Sequence, residues 1–209
     1  TGGYATSGGA KDDVFSITPG DTMLTQVSNV IGFSKRSAHA NVRIPRTTSS
    51  FMIVGGYGST YYNDAILTND GGVSFSVQSS SVFTTGRRSC GLVALNATTF
   101  VAFGGSSGPW YNEVRISYDI GKEWSTLRSN NGGLGDGCAD ATMWSKRGGF
   151  AYTYMPQLQR IVVAGGREGS SSYVNDVWIS NDGGTCWEEA VPNSNSAVNG
   201  YRAARMAVV

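Results

Sequence analysis

Short apolar runs alternate with polar, glycine-rich stretches along the whole chain. Three of the runs end in a glycine pair: FMIVGG at 51–56, FVAFGG at 100–105 and IVVAGG at 161–166. Thr1-Gly2-Gly3 has the form of the end of a fourth. Seven to nine residues after each second Gly, an acidic or amide pair opens a further apolar stretch: Asp12-Asp13-Val14, Asn63-Asp64-Ala65, Asn112-Glu113-Val114 and Asn175-Asp176-Val177. Apolar runs this short, bounded by Gly, Asn and Asp, predict paired β-strands with a loop between them.

A hairpin signal follows each pair. Thr68, Asp70, Gly72 and Phe75 form one copy, Ser117, Asp119, Gly121 and Trp124 a second, and Ser180, Asp182, Gly184 and Trp187 a third. All three fit S/T-x-D-x-G-x-x-W/F, and Ser16 to Met23 is a worn copy with Thr18 in the Asp place. In such a turn the carboxylate and hydroxyl accept hydrogen bonds from backbone N–H groups that a tight turn leaves unpaired. The Gly supplies a positive φ, and the aromatic packs beneath the turn. These Asp residues are therefore expected to be structural. An Arg opens the first strand of each unit, at Arg36, Arg88, Arg147 and Arg202.

The turn carboxylates fall at 70, 119 and 182, with an insertion near 128–146. A period near 50 with four strands per unit predicts an all-β fold, a β-propeller of four-stranded antiparallel blades. The expected repeats are about 1–35, 36–86, 87–146 and 147–200 of a single domain, with 201–209 starting or closing a further blade. The chain begins at the end of a second strand and stops after a first strand. That leaves three arrangements: a ring closed by its own termini, part of a longer propeller, or a terminal strand completing a neighbouring copy in a head-to-tail polymer. The opening Thr1-Gly2-Gly3, without an initiator Met or a signal-like segment, fits a processed form or a part of something longer.

Only 15% of residues are charged, and 16 Lys and Arg against 15 Asp and Glu leave a formal net charge of +1. No electrostatic footprint for nucleic acid follows, and no apolar run approaches the roughly 20 residues that cross a bilayer. With one histidine, His39, and cysteines 90, 138 and 186 far apart, no metal or other cofactor is expected.

The order Arg, Gly-Gly, Asn-Asp, aromatic resembles the kelch repeat, and S-x-D-G-G-x-x-W resembles the Asp-box of sialidases and related secreted propellers. The likeness covers nearly the whole chain and implies the propeller fold, which hosts enzymes, binders and scaffolds alike. Val42-Arg43-Ile44-Pro45 resembles the motif carrying an active-site Arg in sialidases, but no set of positions completes such a site, so no catalytic residue is assigned.

In a four-stranded meander the 1–2 and 3–4 turns share one face, and the 2–3 loops and inter-blade connections share the other. The first face is expected to carry the Asp turns and Asn96, the acceptor of an N-x-T sequon (Asn96, Thr98) for a glycan if the protein is secreted. The other collects Tyr61, Tyr62, Trp110, Tyr111, Tyr173, Arg167 and Glu168, and receives the insertion with Asp136, Cys138, Asp140 and Trp144. Aromatic rings beside polar groups suit a glycan- or protein-binding surface. Recurrence of Tyr61, Trp110 and Tyr173 two residues before the Asn argues instead for packing. A Cys90–Cys138 disulfide is expected on this face, leaving Cys186 free or paired between chains.

The leading functional expectation is a non-enzymatic, extracellular or cell-surface structural or adhesive module that binds protein or glycan, or other copies of itself. A sialidase-like glycan-processing enzyme and an intracellular kelch-type adaptor are the alternatives.

Overall fold

The computed structural model describes residues 3–5, 9–16, 22–27, 30, 32–130, 138 and 142–194. Among them every regular element is a strand. Four short strands come first: β1 (Gly3–Ala5), β2 (Gly9–Lys11), β3 (Val14–Ser16) and β4 (Thr25–Val27). Three meanders follow: β5 (Ala40–Arg43), β6 (Phe51–Val54), β7 (Ala65–Thr68) and β8 (Ser76–Ser79); β9 (Gly91–Ala94), β10 (Phe100–Phe103), β11 (Val114–Ser117) and β12 (Ser125–Arg128); β13 (Ala151–Met155), β14 (Arg160–Arg167), β15 (Tyr173–Ser180) and β16 (Glu188–Val191). Each meander is one four-stranded antiparallel sheet in sequential order, while β1–β2 and β3–β4 form two-stranded sheets. Segments 195–200 and 201–209 lie outside the described residues, and with them Arg202 and the expected closing strand.

The middle strands carry the unbroken apolar runs because both their faces are covered. Met52 and Val54 of β6 pack toward Leu92, Phe100 and Ala102 of the next sheet, while Ile53 packs toward Val14 and Phe75. Val101 and Phe103 turn the other way, against Trp144, Phe150, Ile161 and Val163. Alternation along a strand thus assigns successive residues to different neighbouring sheets, and each unit shares a core with the next. The first strands converge, since β9 lies against both β5 and β13.

The glycine pairs stand where one unit's backbone meets the next. Gly55 and Gly56 have φ of 63° and 107°, and the Gly56 N–H donates to the Arg87 carbonyl at 2.9 Å. A Cβ on Gly55 would lie 2.6 Å from that same oxygen, so no side chain fits. In the next unit the Gly105 N–H donates to the Arg147 carbonyl at 2.8 Å.

The turns between third and fourth strands close as their residue types require. The Ser117 hydroxyl donates to Asp119 at 2.8 Å and accepts from the Gly121 N–H at 2.9 Å, while the Lys122 and Glu123 N–H groups each donate to the Asp119 carboxylate at 3.0 Å. Thr68, Asp70 and Gly72 repeat the pattern, as do Ser180, Asp182 and Gly184. The indole N–H groups of Trp124 and Trp187 donate to the Gly121 and Gly184 carbonyls at 2.9 Å, and Phe75 packs against Phe33 and Phe51. The same Gly is also a docking point between units: a Cβ on Gly121 would meet the Met52 Cε of the preceding sheet at 2.7 Å. The 1–2 turns lie on this face, because the Gly71 N–H donates to the Ser49 carbonyl and the Ile120 N–H to that of Thr98. Asn96 is exposed beside them, its side-chain oxygen accepting from the Thr98 and Thr99 N–H groups.

Two expectations are corrected. The disulfide joins Cys138 to Cys186, with Cα atoms 5.5 Å apart, so neither the Cys90–Cys138 bridge nor a free Cys186 holds. Cys138 lies beside Asp182, Cys186 and Trp187, which means that the insertion reaches the turn face of the fourth unit at this residue. Cys90 is buried between the second and third sheets. The recurring arginine of the third unit is Arg87 and not Arg88: matching on the shared Arg-Ser dipeptide shifts the register by one.

Candidate functional site

Three buried arginines build the platform of the loop face. Arg36 donates to both carboxylate oxygens of Asp64, at 2.7 and 2.9 Å, and to the Gly55 carbonyl at 3.0 Å. Arg87 donates to Glu113 at 2.7 Å and to the Gly104 carbonyl at 3.3 Å. Arg147 grips Asp176 with both terminal nitrogens and reaches the Gly165 carbonyl at 3.1 Å. Each therefore ties the acid that follows the Asn to the first Gly of its unit's glycine pair. In these three, a hydrogen-bonded carboxylate neutralises the buried guanidinium.

Rings complete these posts. Arg36 lies 4.1 Å from the Tyr62 ring centre, and Arg87 lies 4.1 and 4.0 Å from those of Phe83 and Tyr111. Tyr62 and Tyr111 thus serve as stacking partners of the platform. The Asn before each acid holds the segment leaving the fourth strand: Asn63 pairs with both backbone groups of Phe83, Asn112 donates to the Trp144 carbonyl, and Asn175 pairs with Ser194.

Immediately after each buried arginine comes a rung within its own unit. Ser37 pairs with Tyr57, Arg88 with Ser106 and Gly148 with Arg167, the partner being in each case the residue just after the glycine pair. Every rung combines one large side chain with one small one, but the large one differs: Tyr57, Arg88, Arg167. These three lean on the aromatics that precede the Asn. Tyr57 stacks on Tyr61 with ring centres 4.9 Å apart. Arg88 lies 5.4 and 5.9 Å from the Tyr57 and Tyr61 rings, and Arg167 lies 5.7 and 5.8 Å from those of Trp110 and Tyr173. The two arginines reach back to the preceding unit, Arg88 to Tyr61 and Arg167 to Trp110.

Two of the rungs, Arg88–Ser106 and Gly148–Arg167, border a cleft of about 550 Å³ at the convergence of the first strands. The second unit contributes Ala38 and Tyr61; the third contributes Arg88, Ser89, Ser106, Gly108 and Trp110; the fourth contributes Gly148, Gly149, Arg167 and Ser170. No Asp or Glu is among the described residues that line it. Arg167 is held by the carbonyls of Gly169 and Ser170. Its neighbour Glu168 turns away, accepting from the Ser145 hydroxyl and lying 3.5 Å from Arg147. A volume of this order falls within the range of small-ligand clefts.

Of the expected site residues, Trp110 and Arg167 line the cleft, and Tyr173 flanks Arg167. Trp144 is fully buried among Phe103, Phe150 and Trp187, in the core rather than on a surface. Asp136 and Asp140 lie outside the described residues. Sequence reading passed over Tyr57, Ser89 and Ser106, and took Arg88 for the recurring arginine. The signal that marks them is failure to repeat at positions framed by residues that do. No protein-family model matches the chain, and no curated protein matches it.

Proposed function

We propose that the chain is a non-enzymatic binding module of β-propeller type, related in design to the kelch and Asp-box repeats, that holds glycan or protein at the loop-face cleft in an extracellular setting. One observation carries this reading. The Arg–acid posts, glycine pairs and turn carboxylates recur from unit to unit, whereas the rung residues bordering the cleft change in every copy, so the framework does not dictate their identity. The convergence of β5, β9 and β13 supports the propeller, in which first strands surround an axis. The Cys138–Cys186 bond supports an oxidising compartment over an intracellular adaptor. Against a sialidase-like enzyme, Arg43 donates to the Thr47 carbonyl in an exposed turn, in a groove of Arg43 to Thr48 without a carboxylate.

Titration of the full chain with an oligosaccharide panel and with extracellular-matrix protein, followed by heteronuclear NMR, tests the site. Shifts should cluster at Tyr61, Ser106 and Trp110, and Tyr61→Ala and Trp110→Ala should each abolish binding, while Tyr118→Ala on the turn face should not. Ligand binding that survives both cleft substitutions would remove the proposal.

A further inference from the structure

Resting on that reading, we infer that the ligand of the cleft is an acidic saccharide whose carboxylate or sulfate group is gripped between Arg88 and Arg167. The arginines of the posts differ from the two that line the cleft. Arg36, Arg87 and Arg147 are each matched by a carboxylate, at Asp64, Glu113 and Asp176. Arg88 and Arg167 make no ion pair among the described residues. Arg167 spends donors on two loop carbonyls, and Arg88 rests only against ring faces. Two positive groups therefore border one concavity that holds no negative lining group.

A protein nearly neutral overall, with few charges, has placed two unmatched cations in one loop-face cleft, and an anion bound there would balance them. A guanidinium fork matches the two oxygens of a carboxylate or sulfate, with charge-assisted hydrogen bonds stronger than neutral ones. The rest of the lining favours a sugar over a peptide as the carrier. Tyr61 and Trp110 offer apolar ring faces to a pyranose, and Ser89 and Ser170 offer hydroxyls at the rim.

Isothermal titration calorimetry on the full chain tests this with four probes of similar length: an oligouronate, a sulfated neutral oligosaccharide, the unsulfated oligosaccharide and oligoglutamate. The oligouronate, the sulfated probe or both should bind, more weakly as salt rises, and the choice between them identifies the acidic group. Arg88→Gln should weaken binding about tenfold or more, and Arg167→Gln likewise, with thermal unfolding recorded because Arg167 also braces its loop. Lys122→Gln, the same charge change on the turn face, should leave affinity unaltered. Equal affinity for the unsulfated sugar or for oligoglutamate, or full affinity in Arg88→Gln, overturns the acidic-sugar assignment while leaving the cleft a binding site. Failure of Tyr61→Ala and Trp110→Ala to affect any ligand removes the binding reading itself.

Discussion

The N–H of Ser89 donates to the carbonyl of Ala38 at 2.7 Å, and one unit later the Gly149 N–H donates to the Ser89 carbonyl at 3.0 Å. All three residues are left-handed, with φ of 52°, 56° and 64°. This rung stitches the entrances of consecutive first strands together just behind the cleft, and it explains why the strands converge there. Left-handed backbone is costly for residues with a Cβ and most costly for β-branched ones. Ser89→Gly should therefore leave stability near that of the native chain, because relief of strain and the entropy of an extra glycine oppose each other. Ser89→Val should cost about 1–2 kcal/mol. Urea unfolding midpoints of the two variants check the difference, and equal values would show that the rung does not constrain this position.

The buried Arg–acid posts differ in how deeply the acid lies. The Glu113 and Asp176 side chains are 2% and 5% exposed, while that of Asp64 is 20% exposed. Removing one partner of a buried pair strands the other charge, at a cost of about 3–5 kcal/mol. Glu113→Gln and Asp176→Asn should approach that loss, and Asp64→Asn should fall below it because solvent screens Arg36. Denaturant unfolding gives the order, and Asp64→Asn as the most damaging variant would contradict the assignment. Burial pulls the Arg87 guanidinium below its usual range and Glu113 opposes that, which makes the Glu113 variant the more informative.

Much of the framework was legible in the sequence because each framework residue does the same task in every unit. A carboxylate that closes a turn at 70, 119 and 182 is visible as a period, and the glycine pairs are visible for the same reason. The cleft was not, since Arg88, Ser106 and Tyr57 occupy matched positions with unmatched residue types. Nor was the disulfide, because the insertion follows no period and its path past Asp182 depends on packing. Trp144 misled for a related reason: its place in an irregular segment suggested exposure, but Asn112 captures its carbonyl and the ring fills the core between sheets.

The turns make stability pH-dependent. Backbone N–H donation from Glu123, joined by the Ser117 hydroxyl and the Lys122 N–H, holds the Asp119 carboxyl below its ordinary range against the opposing effect of desolvation. The Ser74 hydroxyl and N–H lower Asp70 in the same way. A group lowered in the folded state contributes stability that is present above its unfolded pKa, near 3.8, and lost as pH falls through the folded value. Melting temperature should therefore hold between neutrality and about pH 5 and decline below about pH 4. Asp119→Asn should lower the plateau and flatten the acid limb, measured by circular dichroism across that range. An acid limb of unchanged slope would show that Asp119 does not contribute to it.

The Cys138–Cys186 bond closes a loop of 48 residues and fastens the insertion to the turn of the fourth unit. The loop-entropy relation gives a stabilisation of about 4 kcal/mol for a closure of this length, before any offset from residual structure in the unfolded chain. Cys138→Ser or reduction should thus lower stability by about 2–4 kcal/mol. Cys90 should behave oppositely to an exposed thiol, because burial pushes it up to about 11 against the opposing pull of Arg87. In the native protein at pH 8 no cysteine should alkylate, and one per chain should do so after unfolding without reductant. Non-reducing peptide mapping should recover Cys138 linked to Cys186, and any linked peptide containing Cys90 would refute the pairing.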